Sequence, residues 1–203
     1  MYEFNGTVVG VRCKDGIVLA SDSRGTSYYH VLSKRVQKTF KLDESIGAAI
    51  AGGSGDVQSF VSALKVEANL YRLNRGRSIP TKGLVQVAAN LLFQRRMYPY
   101  IVDGVIAGLD KEGPSLYFID PVGGKIEEEK FASAGTGSTV AYGTLEQMYR
   151  DDMTLDECAK LAAQSIKIAI ERDAATGDKI VVVVIDKDGY RELPEDDVKS
   201  LLK

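Results

Sequence analysis

The sequence predicts an α+β fold in which two β-sheets lie face to face between two layers of helices. Three observations carry this. The chain opens with Val-rich, strand-like segments joined by tight turns. Two pairs of helical segments follow, separated by a second run of strands. The last strand, 180–186, is apolar on both faces, as a strand inside a covered sheet must be. The order is neither strict βαβ alternation nor all-β. Two central sheets, each covered by a helix pair, satisfy it, giving a four-layer αββα sandwich.

The elements follow in order. Residues 7–14 alternate weakly and read as a strand, Asp15-Gly16 is a hairpin turn, and 17–22 is the return strand. A second hairpin, 38–42 and 45–52, turns around Asp43-Glu44. Apolar Val57, Phe60, Val61, Leu64, Ala68 and Tyr71 have helical spacing over 56–73. Pro80 opens a second helix, where a missing N–H costs little, and Pro99 stops it near Met97. Strands return at 102–109, 116–120 and 125–127. Helices are predicted at 138–149 and 155–172, the second with Thr154 and Glu157 as a capping box. Asp188-Gly189 turns the last strand, and 194–202 is a short terminal helix.

The 203 residues suit one large domain, and a net charge of −2 leaves no basic footprint for nucleic acid. Arg72, Arg75 and Arg77 read as a solvated helix end. No apolar run reaches membrane-spanning length, and the first residues lack the basic start and apolar core of a secretory signal. Cys13 and Cys158 are far apart in sequence with no companion at metal spacing, which reads as two free thiols in a reducing, cytoplasmic interior. His30 is the only histidine, so neither a Ser–His–Asp mechanism nor a histidine-rich zinc site is supported, and no cofactor or metal is expected.

Several segments point one way together: Thr7–Arg24, Ala51-Gly-Gly-Ser-Gly-Asp56, Tyr98-Pro-Tyr100, Gly108-Leu-Asp110, Ile119-Asp-Pro-Val-Gly-Gly124, Ala134-Gly-Thr-Gly-Ser138 and Arg172-Asp-Ala-Ala-Thr-Gly-Asp178. In order and spacing they resemble the β-type subunits of proteasomes, in their archaeal form, over nearly the whole chain. The resemblance implies the N-terminal-nucleophile hydrolase fold, one domain over 7–203, and 1–6 as a propeptide or retained extension. It implies seven-membered β rings stacked against α rings, an ATPase regulator acting through the α ring, and unfolded polypeptides as substrates. In such enzymes a threonine freed at the N-terminus attacks the peptide carbonyl, and its own α-amine, titrating near ~7.7–8.0, serves as the base.

The resemblance also assigns site positions. Asp22 matches the acid that orients a lysine, Lys38 is that lysine, and Asp173 is a second acid of the site. Thr136 and Thr176 stand where serines are usual. Gly52 matches the oxyanion-hole glycine. Gly25, Thr26, Val36, Ile50 and Ser54 match substrate-groove and pocket positions, with Val36 and Ile50 making a small apolar pocket. Without the resemblance, Asp22 and Lys38 read as a surface pair, Asp173 as a helix end, and Gly52 and Gly55 as turn residues.

The pattern breaks at the nucleophile. It should stand four residues before Gly10, and that residue is Gly6. Thr7 comes one step late, and successive strand side chains point to opposite faces, so Thr7 should point away from Lys38 and Asp22 unless a bulge intervenes. Two readings follow: a structural β subunit, and an active threonine endopeptidase self-processed between Gly6 and Thr7. Another amidohydrolase of the same fold, or the two-ring bacterial relative, fits the stretch from Leu155 to the C-terminus less well. An α-type subunit would need an extra helix before Thr7. Tyr71, Tyr98, Tyr100, Tyr142 and Tyr149 are candidate interface residues.

Overall fold

The computed structural model describes residues 6–203. Strands β1 (Thr7–Cys13) and β2 (Gly16–Ser21) form the opening hairpin, and its turn falls at Lys14-Asp15, one residue before the predicted place. A small hairpin follows, β3 (Gly25–Ser27) and β4 (His30–Ser33). Next come β5 (Thr39–Asp43) and β6 (Ile46–Gly52), then helices α1 (Ser54–Arg75) and α2 (Thr81–Gln94). Four strands succeed them: β7 (Val102–Asp110), β8 (Gly113–Ile119), β9 (Lys125–Glu128) and β10 (Phe131–Gly135). Helices α3 (Ser138–Met148) and α4 (Leu155–Arg172), strands β11 (Val181–Asp186) and β12 (Gly189–Glu192), and α5 (Glu195–Leu201) complete the chain.

The strands form two five-stranded antiparallel sheets, ordered β10-β1-β2-β11-β12 and β5-β6-β7-β8-β9. Val8, Ile17, Leu19, Val183 and Ile185 turn one face of the first sheet onto Ala49, Ala51, Val105 and Ala107 of the second. Val9, Val11, Val18, Val182 and Val184 turn the other face onto α3 and α4. α1 and α2 cover the second sheet through Phe60, Leu64, Leu84 and Leu92. Period-two alternation with both faces apolar therefore builds the αββα sandwich directly.

The structure departs from the sequence reading in places. α2 ends at Gln94, because Arg95 N–H bonds back to Leu92 O and Arg96 N–H to Phe93 O, tightening the last turn. β3, β4, β10 and β12 are elements the sequence did not announce. β10 is Phe-Ala-Ser-Ala-Gly, whose small residues lack strand propensity yet let β10 pack close beside β1. The capping box is present: Thr154 accepts from Glu157 N–H while Glu157 accepts from Thr154 N–H.

The two cysteines, distant in sequence, meet in space. The buried thiols of Cys13 in β1 and Cys158 in α4 are neighbours, and this contact, with burial, pushes the Cys13 thiol far above its ordinary range. Of the five candidate interface tyrosines, Tyr71 and Tyr100 pack on one core and Tyr142 and Tyr149 on another, all half-buried. Tyr98 is exposed, and so are Tyr28, Tyr29 and Leu32 of the small hairpin. No helix among the described residues is long and apolar enough to cross a membrane.

Candidate functional site

Asp22, just beyond β2, is fully buried and accepts four hydrogen bonds. Oδ1 takes Lys38 Nζ at 2.6 Å and the Thr7 N–H at 2.9 Å. Oδ2 takes the N–H groups of Arg24 at 3.0 Å and Gly177 at 2.9 Å. Lys38, leading into β5, is 4% exposed and donates also to Arg24 O at 2.8 Å. Burial pulls its ammonium below the ordinary lysine range, against the raising influence of Asp22. This is a buried ion pair held from several sides, not the surface pair that the residues read in isolation would suggest.

β1 runs past this pair without a bulge. Its register against β10 is unbroken from Thr7↔Gly135 to Val11↔Phe131, and against β2 from Val8↔Ser21 to Cys13↔Gly16. The residue facing Lys38 is Gly6: a Cβ built there would stand 1.8 Å from Lys38 Nζ and 2.6 Å from Asp22 Oδ1. Gly6 also has φ of 90°, a region L-residues seldom adopt. The ammonium thus fills the space in which a side chain at this position would begin.

Thr7 faces the other way and is wholly buried. Its Oγ1 lies 2.7 Å from Thr176 Oγ1, and Thr176 donates to Asp173 Oδ2, so the Thr7 hydroxyl donates to Thr176. Thr136 Oγ1 donates to the same Asp173 oxygen at 2.6 Å and lies 3.3 Å from both Gly6 N and Gly6 O. The sequence-predicted residues therefore gather at one end of the sandwich but on two sides of the strand. Lys38 and Asp22 close on the side-chain position of residue 6, and Asp22 also holds the Thr7 N–H; Thr176 bonds the Thr7 hydroxyl, and Thr136 links Gly6 to Asp173.

Beside Lys38 opens a cavity of about 340 Å³. Of the predicted groove residues, Val36, Ile50, Gly52 and Ser54 line it, while Gly25 and Thr26, on β3, do not. Arg35, Gln37, Phe40, Val57 and Gln58 also line it, and the sequence reading missed them. Val57 and Gln58 were within reach of helical spacing, standing three and four residues beyond Ser54. Gly52 has φ of 143°, and a Cβ there would approach Ile101 O to 2.0 Å, so only glycine fits this strand end.

Asp103 was also missed. It stands on β7 opposite Ala51, and its Oδ2 accepts the Gly135 N–H at 3.3 Å, steadying the turn that carries Thr136. Its Oδ1 is buried without a side-chain partner or a well-formed hydrogen bond. Burial pushes its carboxyl up to about 6. Nothing in the sequence marks it beyond an acid inside an apolar strand. His30 is exposed on β4, and no group of His, Cys, Asp and Glu among the described residues is arranged to hold a metal ion.

Comparisons with known proteins agree with this architecture. The family model described as "Proteasome subunit" matches residues 3–185. The chain is 43% identical over 194 residues to a "Proteasome subunit beta" of Methanosarcina mazei, covering 96% of this chain and 92% of that protein. It is 45% identical over 197 residues to a "Proteasome subunit beta 1" of Thermococcus onnurineus, covering 97% and 96%. To a "Proteasome subunit beta 1" of Thermococcus sibiricus it is 46% identical over 197 residues, covering 97% and 94%. The chain belongs to the proteasome subunit family.

Proposed function

We propose that this chain is a non-catalytic β-type subunit that builds the wall of a proteasome core particle degrading unfolded polypeptides in the cytoplasm. The observation that carries this reading is at Gly6. The residue addressed by the Asp22–Lys38 pair has no side chain, and the neighbouring Thr7 hydroxyl is buried, 2.7 Å from Thr176, on the opposite face of an unbulged strand. A nucleophile needs an approach for the carbonyl, and the wholly buried Thr7 hydroxyl has none. Residues 1–6 are then a retained extension, of which 1–5 lie outside the described residues.

The relatives are named as β subunits, and this supports assembly with α subunits and other β subunits in stacked seven-membered rings, with an ATPase regulator reached through the α ring. Exposed Tyr28, Tyr29 and Leu32, and the helical stripe Val66, Leu70 and Leu73 on α1, are apolar surfaces suited to neighbours in such rings. Full-size particles should form on co-expression with α subunits and a second β subunit; a strictly monomeric profile then would sink the assembly reading.

The second reading is an endopeptidase processed between Gly6 and Thr7. It draws on the chain of hydroxyls from Thr7 through Thr176 to Asp173, a route for the Thr7 proton. Intact mass of the assembled chain separates the two. Retention of Gly6, with no labelling of this chain by a threonine-directed inhibitor, supports the structural subunit. A mature chain that begins at Thr7 and takes the label overturns it.

A further inference from the structure

We infer that Cys13 and Cys158 are a disulfide-forming pair, and that their oxidation by a small disulfide such as oxidised glutathione fastens β1 to the first turn of α4. The inference goes beyond the role of the chain in a particle and does not depend on what Gly6 does.

The placement follows from two periods. Val9, Val11 and Cys13 alternate along β1 and share the face that packs on α3 and α4. Cys158 opens the buried stripe of α4 that continues through Leu161, Ala162, Ser165, Ile166 and Ala169. The thiols become neighbours where the first turn of α4 lies on the end of β1. Cys13 is 5% exposed and Cys158 is wholly buried. The backbone holds both positions. Cys13 is paired with Gly16 of β2, and the Thr154–Glu157 capping box fixes α4 immediately before Cys158. The chain has only two cysteines, so no third thiol competes for either. Cys13 Sγ reaches Val11 O only at 3.8 Å. A disulfide gives up that weak contact and replaces two S–H groups with an apolar link inside an apolar layer.

The step balances as thiol–disulfide exchange. One cysteine thiolate attacks a sulfur of oxidised glutathione, forming a mixed disulfide and releasing one glutathione thiolate. The second cysteine thiolate attacks the protein sulfur of that mixed disulfide and releases the other. The two protein sulfurs lose two electrons, oxidised glutathione gains them, and the two thiol protons end on the two glutathiones. The closed molecule resists this step. The neighbouring Cys158 thiol, burial and the negative charge of Asp15 hold the Cys13 thiol far above its ordinary range, so little thiolate forms. Oxidation therefore belongs to the folding chain, or to moments when the first turn of α4 lifts from the sheet. Once formed, the bond closes a loop from β1 to α4 that spans most of the chain, and this restricts the unfolded state more than the folded one.

The test fixes one ratio of reduced to oxidised glutathione and measures the bonded fraction of the full-length chain twice, in denaturant and after refolding, by alkylation and intact mass. A bonded chain has lost two hydrogens and takes up no alkylating reagent. The bond should be favoured at least about tenfold more in the refolded chain, because a bond that stabilises the fold is stabilised by it in equal measure. The oxidised chain should also unfold at a higher denaturant concentration than the reduced one. A refolded chain that carries glutathione on one cysteine, or a bond no more favoured than in denaturant, overturns the inference. Given to the folded chain, the same oxidant should close the bond at least about tenfold more slowly than during refolding. An equal rate would refute burial as the gate. Cys158→Ala removes the bond, so the gain in unfolding midpoint on oxidation should vanish; a gain that survives refutes the pairing. Should that variant not fold, the oxidised and reduced forms of the unaltered chain carry the test by themselves.

Discussion

On one face of the first strand's start, a buried ammonium and carboxylate close on a residue with no side chain; on the other, a hydroxyl closes on a network of hydroxyls and an acid, with no cation bonded to it. The two faces are one residue apart in sequence. The difference teaches that a buried charge pair can be fully bonded beside a residue that offers it no side chain. The pair also has a structural task. Asp22 fastens Thr7, Arg24, Lys38 and Gly177, so it joins the ends of β1 and β2 to the loop before β11 whatever its chemical use.

The sharpest way to break this contrast is Asp22→Asn. It leaves a buried ammonium unpaired and should lower the unfolding free energy by about 3–5 kcal/mol in chemical denaturation. Adding Lys38→Met should recover part of that loss, because the uncompensated charge is gone. A single-variant loss of under ~1 kcal/mol would mean the pair is not a structural fastening at all.

Asp103→Asn tests the acid beneath the Thr136 turn. Its carboxyl titrates at about 6, above the ordinary 3.8, so the folded state holds the proton more tightly than the unfolded state. Stability therefore falls as pH rises from 3.8 to about 6, and the penalty is fully present at neutral pH. The variant should gain up to about 3 kcal/mol at pH 7, less where solvent reaches the group, and should lose that acid-side slope. A destabilised variant with an unchanged slope would assign Asp103 a different role.

Gly6→Ala places a Cβ in the seat of Lys38 Nζ at a strained φ, and should cost about 2 kcal/mol. Gly6→Thr carries the same strain but adds the hydroxyl, and the family pattern expects it to restore some processing after Asn5. A chain shortened to begin at residue 6 would show that the ammonium can retreat and the machinery is intact. An unchanged mass would show that the site has been rebuilt around glycine. The smallest effect belongs to the other face. Thr176→Val leaves the buried Thr7 hydroxyl without its acceptor, for about 1 kcal/mol, while exchange of the Thr7 amide, bonded to Asp22, stays slow.

Much of the fold was legible in the sequence because its signals are local. Alternation in β1, β2 and β11, the helical spacing of α1 and the Thr154–Glu157 cap are each settled within a few residues by backbone geometry. β10 was not legible, since Ala132 and Ala134 carry no strand propensity and their place depends on a sheet assembled from distant segments. The turn positions slipped by one residue for a related reason: the glycines after Asp15 and Asp188 enter the strands, paired with Cys13 and Asp186.

By itself, the sequence determined the layer order, the one-residue offset between Gly6 and Thr7, and the residue types gathered at the site, because spacing along a strand fixes which face each side chain takes. Only the tertiary structure decided that Lys38 fills the space beside Gly6, that Cys13 meets Cys158, that Arg35, Phe40 and Gln58 join the cavity wall, and that Asp103 lies half-buried beneath the Thr136 turn. Those outcomes depend on which distant surfaces are pressed together when water is excluded between the layers, and no local period encodes that.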